Sequence, residues 1–189
     1  MLKTAVLPAL FAGILLASCS SNETKEAKET KEIVLPGAPS SVKAVQDNIK
    51  GKKYKVEKAG THSLISTDKD ITWLEPKEDN KFEKEIVDES KSLQLDFVNE
   101  TSVTITMKKK AKDTTYQGTY VVDTLTSEDE KPGIKLRISY EDDEFKLGDA
   151  RFSKVIYTYL VEGINEKSLL LETPRSMNNR KIVVLMNKQ

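Results

Sequence analysis

Residues 101–123, TSVTITMKKKAKDTTYQGTYVVD, decide the fold. Val103, Ile105 and Met107 alternate with Thr104 and Thr106, and beyond the lysine-rich break Tyr116, Gly118, Tyr120 and Val122 keep the same spacing. Successive side chains of a strand point to opposite faces, so a period of two marks a strand with one buried and one wet face. Two such runs separated by Lys112-Asp113 predict an antiparallel hairpin.

The pattern extends in both directions. Leu93, Leu95 and Phe97 alternate with Gln94 and Asp96; Ile134, Leu136, Ile138 and Tyr140 alternate with Lys135, Arg137 and Ser139. Val155, Tyr157, Tyr159 and Val161 follow, then Leu169 and Leu171, and residues 182–186 are almost continuously apolar. Asn99-Glu100, Glu130-Lys131-Pro132-Gly133, Asn165-Glu166 and Asn178-Asn179 supply turn chemistry between the runs. Residues 52–58, 62–67 and 70–75 are weaker strand candidates. Residues 77–90, with Phe82, Ile86 and Val87, read as a short helix or a long lid-like loop. Residues 39–50 carry Val42, Val45 and Ile49 at helical spacing, with Ser40 or Ser41 as cap and Gly51 as stop. The expectation is a mainly β chain of about eight to ten strands with a short N-terminal helix. A meander manages its edges best by closing into a barrel, here of about eight strands, and a β-sandwich is the alternative.

The first residues have another character. Lys3 precedes an apolar run from Ala5 to Ala17, the pattern of a secretory signal. A membrane-spanning helix needs roughly 20 apolar residues, so this run is too short to be one. It ends Leu16-Ala17-Ser18-Cys19, which resembles a lipobox. That resemblance implies lipidation of the Cys19 thiol, cleavage just before it, and anchoring to a membrane by fatty acyl chains. Ser20 is not acidic, which by the same resemblance favours the outer membrane over inner-membrane retention, on either face. Residues 20–38, SSNETKEAKETKEIVLPGA, are too polar to bury a core and read as a tether. The expected organisation is a signal peptide over residues 1–18, a lipidated cysteine and tether over 19–38, and one β domain over 39–189.

Taken together, the lipobox, the short helix, Gly51-Lys52-Lys53-Tyr54 opening the first strand and the meander that follows look like the lipocalin-like domains of bacterial lipoproteins. The resemblance covers roughly residues 39–189 and implies a barrel that holds a small hydrophobic or amphipathic ligand. Lipocalins usually open the first strand with Gly-x-Trp and pack that Trp near a late Arg. Here Lys53 and Tyr54 follow Gly51-Lys52, Trp73 lies two strand candidates further on, and Arg175 or Arg180 would be the late Arg.

Composition narrows the function. The chain has 30 Lys+Arg against 30 Asp+Glu, and so lacks the basic excess a nucleic-acid partner requires. The run Lys108-Lys109-Lys110 with Lys112 reads as a solvated hairpin end, and Glu141-Asp142-Asp143-Glu144 as a solvated turn without the spacing of a calcium loop. Cys19 is the only cysteine, so no disulfide forms within the chain. With that thiol lipidated and His62 the only histidine, no Cys/His metal motif can be built. His62 lacks a nucleophile-elbow partner and reads as a surface or satisfied polar residue. No enzyme activity, cofactor or metal is expected. Tyr116, Tyr120, Tyr140, Tyr157, Tyr159 and Phe97 share the inward register and, with Trp73, are the candidate ligand-lining set. The competing reading is a filled core in a structural or interaction protein of the cell envelope, with a protein partner on its rim.

Overall fold

The computed structural model describes residues 33–63, 70–75, 80–109, 112–125, 131–142, 146–147, 150–151, 154–177 and 179–189. In chain order the elements are α1 (Val42–Ile49), β1 (Lys53–Ser63), β2 (Thr72–Trp73), α2 (Lys81–Ser92), β3 (Gln94–Phe97), β4 (Ser102–Lys109), β5 (Lys112–Asp123), β6 (Lys135–Glu141), β7 (Lys146–Leu147), β8 (Ala150–Arg151), β9 (Lys154–Ile164), β10 (Ser168–Met177) and β11 (Arg180–Lys188). They belong to one compact unit, Val34–Gln189.

Eight strands close into an antiparallel barrel. Each pairs with the next in the order β1, β3, β4, β5, β6, β9, β10, β11, and β11 returns to β1 from Tyr54↔Lys188 to Ser63↔Arg180. Closure leaves no free edge around the ring, which excludes the sandwich alternative. β2 is a ninth strand, pairing Trp73 with Gly60 and Thr72 with Thr61 beyond the stretch of β1 that holds β3. β7 and β8 form their own small hairpin between β6 and β9.

The central hairpin forms, but its turn is not at Lys112-Asp113: Asp113 pairs with Lys108 and Lys112 with Lys109, because the ladder of β4 and β5 runs on through them. Val103 and Ile105 on β4, and Tyr120 and Val122 on β5, are buried in one cluster with Leu136, Ile138 and Tyr140 of β6. The residues between them are more exposed, Val121 at 56%. β1 is different: it runs from the first weak candidate on to Ser63, with a bulge between Val56 and Lys58; residues 64–67 of the second candidate lie outside the described residues. One extra residue switches the inward parity, so Tyr54 and Val56 face the core before the bulge and Ala59 and Thr61 after it. Gly60 and His62 are thereby turned to the outer face.

The two ends of the barrel are built differently. At one, α1 forms a plug. Ser41 Oγ accepts from the Ala44 N–H at 3.1 Å as its N-cap, and Gly51 continues the chain at φ +66°, a left-handed conformation suited to glycine. Val45 and Ile49 are fully buried beneath it, and Tyr54 donates from its hydroxyl to the Asn48 carbonyl at 3.1 Å. Burial pushes the Tyr54 phenol up to about 12. Phe97 packs edge-on against Tyr54 (centroids 6.1 Å) and Tyr120 (4.9 Å), leaving this end filled.

Helix α2 covers the opposite end. The stretch that read as helix or lid is a helix, capped by Asn80 Oδ1 accepting from the Glu83 N–H at 3.1 Å. Its Val87 is buried, and Ser92 Oγ accepts from the Lys108 N–H at 2.8 Å, tying the helix end to β4. Among the described residues no helix is long and apolar enough to cross a membrane.

Candidate ligand-binding site

Beneath α2 the barrel is hollow. A cavity of about 300 Å³ lies among Ile86, Glu89 and Ser90 of α2, Leu93, Met107 and Lys109 of the β3–β4 side, Tyr116, Tyr140, Tyr157 and Tyr159, and Ile182 and Val184 of β11. The size falls at the lower end of pockets that enclose small organic ligands. Alternation selects the tyrosines and pairing sets their height. Tyr116 starts the inward run of β5, Tyr140 ends that of β6, and Tyr157 opposite Ile138 lies toward the start of β9. Antiparallel neighbours bring these positions to one level, where Tyr116 and Tyr140 lie 4.6 Å apart, Tyr140 and Tyr157 stack at 6.1 Å, and Tyr157 and Tyr159 at 6.1 Å.

One corner is charged. Lys109 Nζ donates to both carboxylate oxygens of Asp142 at 2.6 and 2.8 Å, and the Tyr116 hydroxyl donates to Oδ2 at 3.2 Å. Asp142 is only 8% exposed. Two expectations change here. The acidic run 141–144 is not simply a solvated turn, because its second carboxylate is buried against a lysine. Nor is the lysine run wholly solvated, because Lys109 turns inward. In both cases the strand ends meet across the barrel mouth, which no local pattern records. Asp143, Glu144 and Lys110 lie outside the described residues.

The hydrogen bond to Asp142 holds the Lys109 ammonium above its usual range, so it stays charged. Burial, and then the charge of Asp142, raises the Tyr116 phenol. Burial, and next the neighbouring Tyr157, raises Tyr140 further. These two hydroxyls are therefore neutral donors at physiological pH and not bases. The cavity is an apolar, aromatic chamber with one ion pair at its wall.

Four of the seven candidate lining residues, Tyr116, Tyr140, Tyr157 and Tyr159, meet at this cavity. Phe97 and Tyr120 point inward but belong to the filled end, where the Tyr120 hydroxyl donates to the Asn99 carbonyl at 2.6 Å. Trp73 is paired with outward-facing Gly60 and sits on the outer surface. An added Cβ at Gly60 would meet the Trp73 ring at 2.9 Å. Lys109, Asp142, Met107 and Ile182 are lining residues that the sequence reading passed over. The inward register could have found Met107 and Ile182. Cys19, with the leader and most of the tether, lies outside the described residues.

No known protein family, curated protein or solved structure matches this chain.

Proposed function

We propose that this chain is an outer-membrane lipoprotein, anchored through lipid on Cys19, whose barrel carries a small amphipathic ligand in the cavity under α2. The observation that carries the ligand reading is the contrast between the two ends: aromatic packing fills one, while the other keeps about 300 Å³ beside the Lys109–Asp142 pair, whose carboxylate is buried. An apolar chamber with a few convergent polar groups is the usual form of a small-molecule site. In this reading the apolar body of the ligand lies against Tyr140, Tyr157 and Val184, and its polar head meets Lys109, Asp142 and the Tyr116 hydroxyl. The anchor rests on the lipobox Leu16-Ala17-Ser18-Cys19, since two or more acyl chains hold a protein stably at a bilayer.

The test is native mass spectrometry of the full chain extracted in mild detergent. The expected result is a co-purified small molecule on the wild type that is lost from Ile182→Trp, which fills the cavity with a ring. A wild type free of bound mass, or equal loading of both proteins, overturns the ligand reading in favour of an envelope interaction protein. Metabolic labelling with a fatty acid tests the anchor separately, since the label should disappear in Cys19→Ala.

A further inference from the structure

On the outer face of the barrel, away from the cavity, three side chains from three strands converge. The β1 bulge turns His62 outward, Glu172 of β10 is paired with outward-facing Val183, and Glu162 lies at the register shift between β9 and β10. One potential ligand atom from each lies within 4.8 Å of the others. His62 Nε2 is 2.7 Å from Glu172 Oε2. Lys131 Nζ reaches the group from a neighbouring loop, at 2.8 Å from Glu162 Oε1 and 3.6 Å from Glu172 Oε2.

The arrangement is incomplete as a set of ion pairs. Glu172 is 6% exposed, and its Oε2 is fully buried with no hydrogen bond aligned on it, despite the closeness of His62 and Lys131. A buried carboxylate oxygen left this way forfeits its solvation unless something meets it. Two carboxylates face one lysine ammonium, and the His62 imidazole lies against one of them. A divalent ion would meet both carboxylates at once and take an imidazole nitrogen as a further ligand.

We propose that His62, Glu162 and Glu172 form a binding site for a divalent transition-metal ion of the zinc type, and that Lys131 occupies this place when no metal is bound. One imidazole nitrogen and two carboxylates suit zinc, with water free to complete a tetrahedron, whereas calcium and magnesium favour all-oxygen sets. Tetrahedral ligands around zinc stand roughly 3.3 Å apart, and the three ligand atoms already lie within 4.8 Å of one another. Lys131 is half exposed and can swing into solvent. Its ammonium is the built-in competitor.

The test is calorimetric titration of the full chain, in mild detergent, with zinc chloride. The expected result is one zinc per chain, at least about tenfold weaker binding in His62→Ala and in Glu172→Gln, and roughly tenfold tighter binding in Lys131→Met, where the competing charge is gone. A gain in Lys131→Met cannot come from misfolding, which keeps the test decisive if a ligand variant fails to fold. The proposal is overturned if the wild type takes no zinc, if zinc binds equally to His62→Ala and Glu172→Gln, or if only Lys131→Met binds it.

Discussion

Truncating one ring at each end of the barrel should have very different consequences. Phe97 is fully buried and wedged edge-on between Tyr54 and Tyr120. Phe97→Ala leaves a void that closed packing cannot fill and should destabilise the domain by about 3–5 kcal/mol. Tyr157 is half-buried at the cavity wall and makes ring contacts with Tyr140 and Tyr159. Tyr157→Ala widens a space that already exists, so the loss is chiefly partial burial and ring contact, about 1–2 kcal/mol. The gap, on the order of 2–3 kcal/mol, corresponds to roughly 5–10 °C in melting temperature for a domain of this size. Equilibrium urea unfolding followed by circular dichroism measures it, provided both variants keep the wild-type dependence on denaturant. Equal losses would refute the picture of one filled and one hollow end, and a Tyr157 loss as large as that of Phe97 would mean that the chamber is closed in solution.

Two further outcomes follow from close contacts and burial. A Cβ at Gly163 would lie 2.3 Å from the Pro36 carbonyl oxygen, so Gly163→Ala should lift residues 34–38 off the barrel and break the bond from the Ile164 N–H to the Gly37 carbonyl. We expect a loss of about 1 kcal/mol and new proteolytic cleavage ahead of Ser41; unchanged protection would count against that docking. In alkali, Tyr54 and Tyr140 should ionise late, because burial raises both. A raised phenol stabilises the fold fully below its unfolded pKa of about 10, and that contribution is lost as pH climbs through the folded value, about 12 for Tyr54. Phenolate absorbance should therefore rise in two stages, the second coinciding with unfolding, and one smooth titration near pH 10 would contradict the buried hydroxyls.

The barrel was legible where a strand keeps its parity over its whole length, as β4, β5 and β6 do. β1 was not, because the bulge after Val56 breaks the alternation within the strand, so that only its first half looked like a candidate in its own right. Parity also explains the partial view of the site. It separates inside from outside and so selected Phe97 and Tyr120 along with the four tyrosines at the cavity. Height along the barrel axis depends on pairing between strands, which parity does not carry. Asp142 looked solvated because its neighbours in sequence are acidic, while its partner Lys109 lies on another strand. Glu162 and Glu172 lie on the two strands of one hairpin, but His62 is far from both in sequence, and its arrival beside them depends on the bulge and on ring closure together.

The pairing of Tyr54 with Lys188 sets a timetable for folding. β1 leaves the ribosome early but cannot complete its hydrogen-bond ladder until β11 has been made, so the hairpins between them form before the ring can shut. Contacts so distant along the chain assemble slowly, and an incomplete ring would present β1 and β10 as raw, pairable strands. A nascent chain of this design stays unclosed until its last strand is made. Loss of β11 should cost the whole ring and not one strand of it.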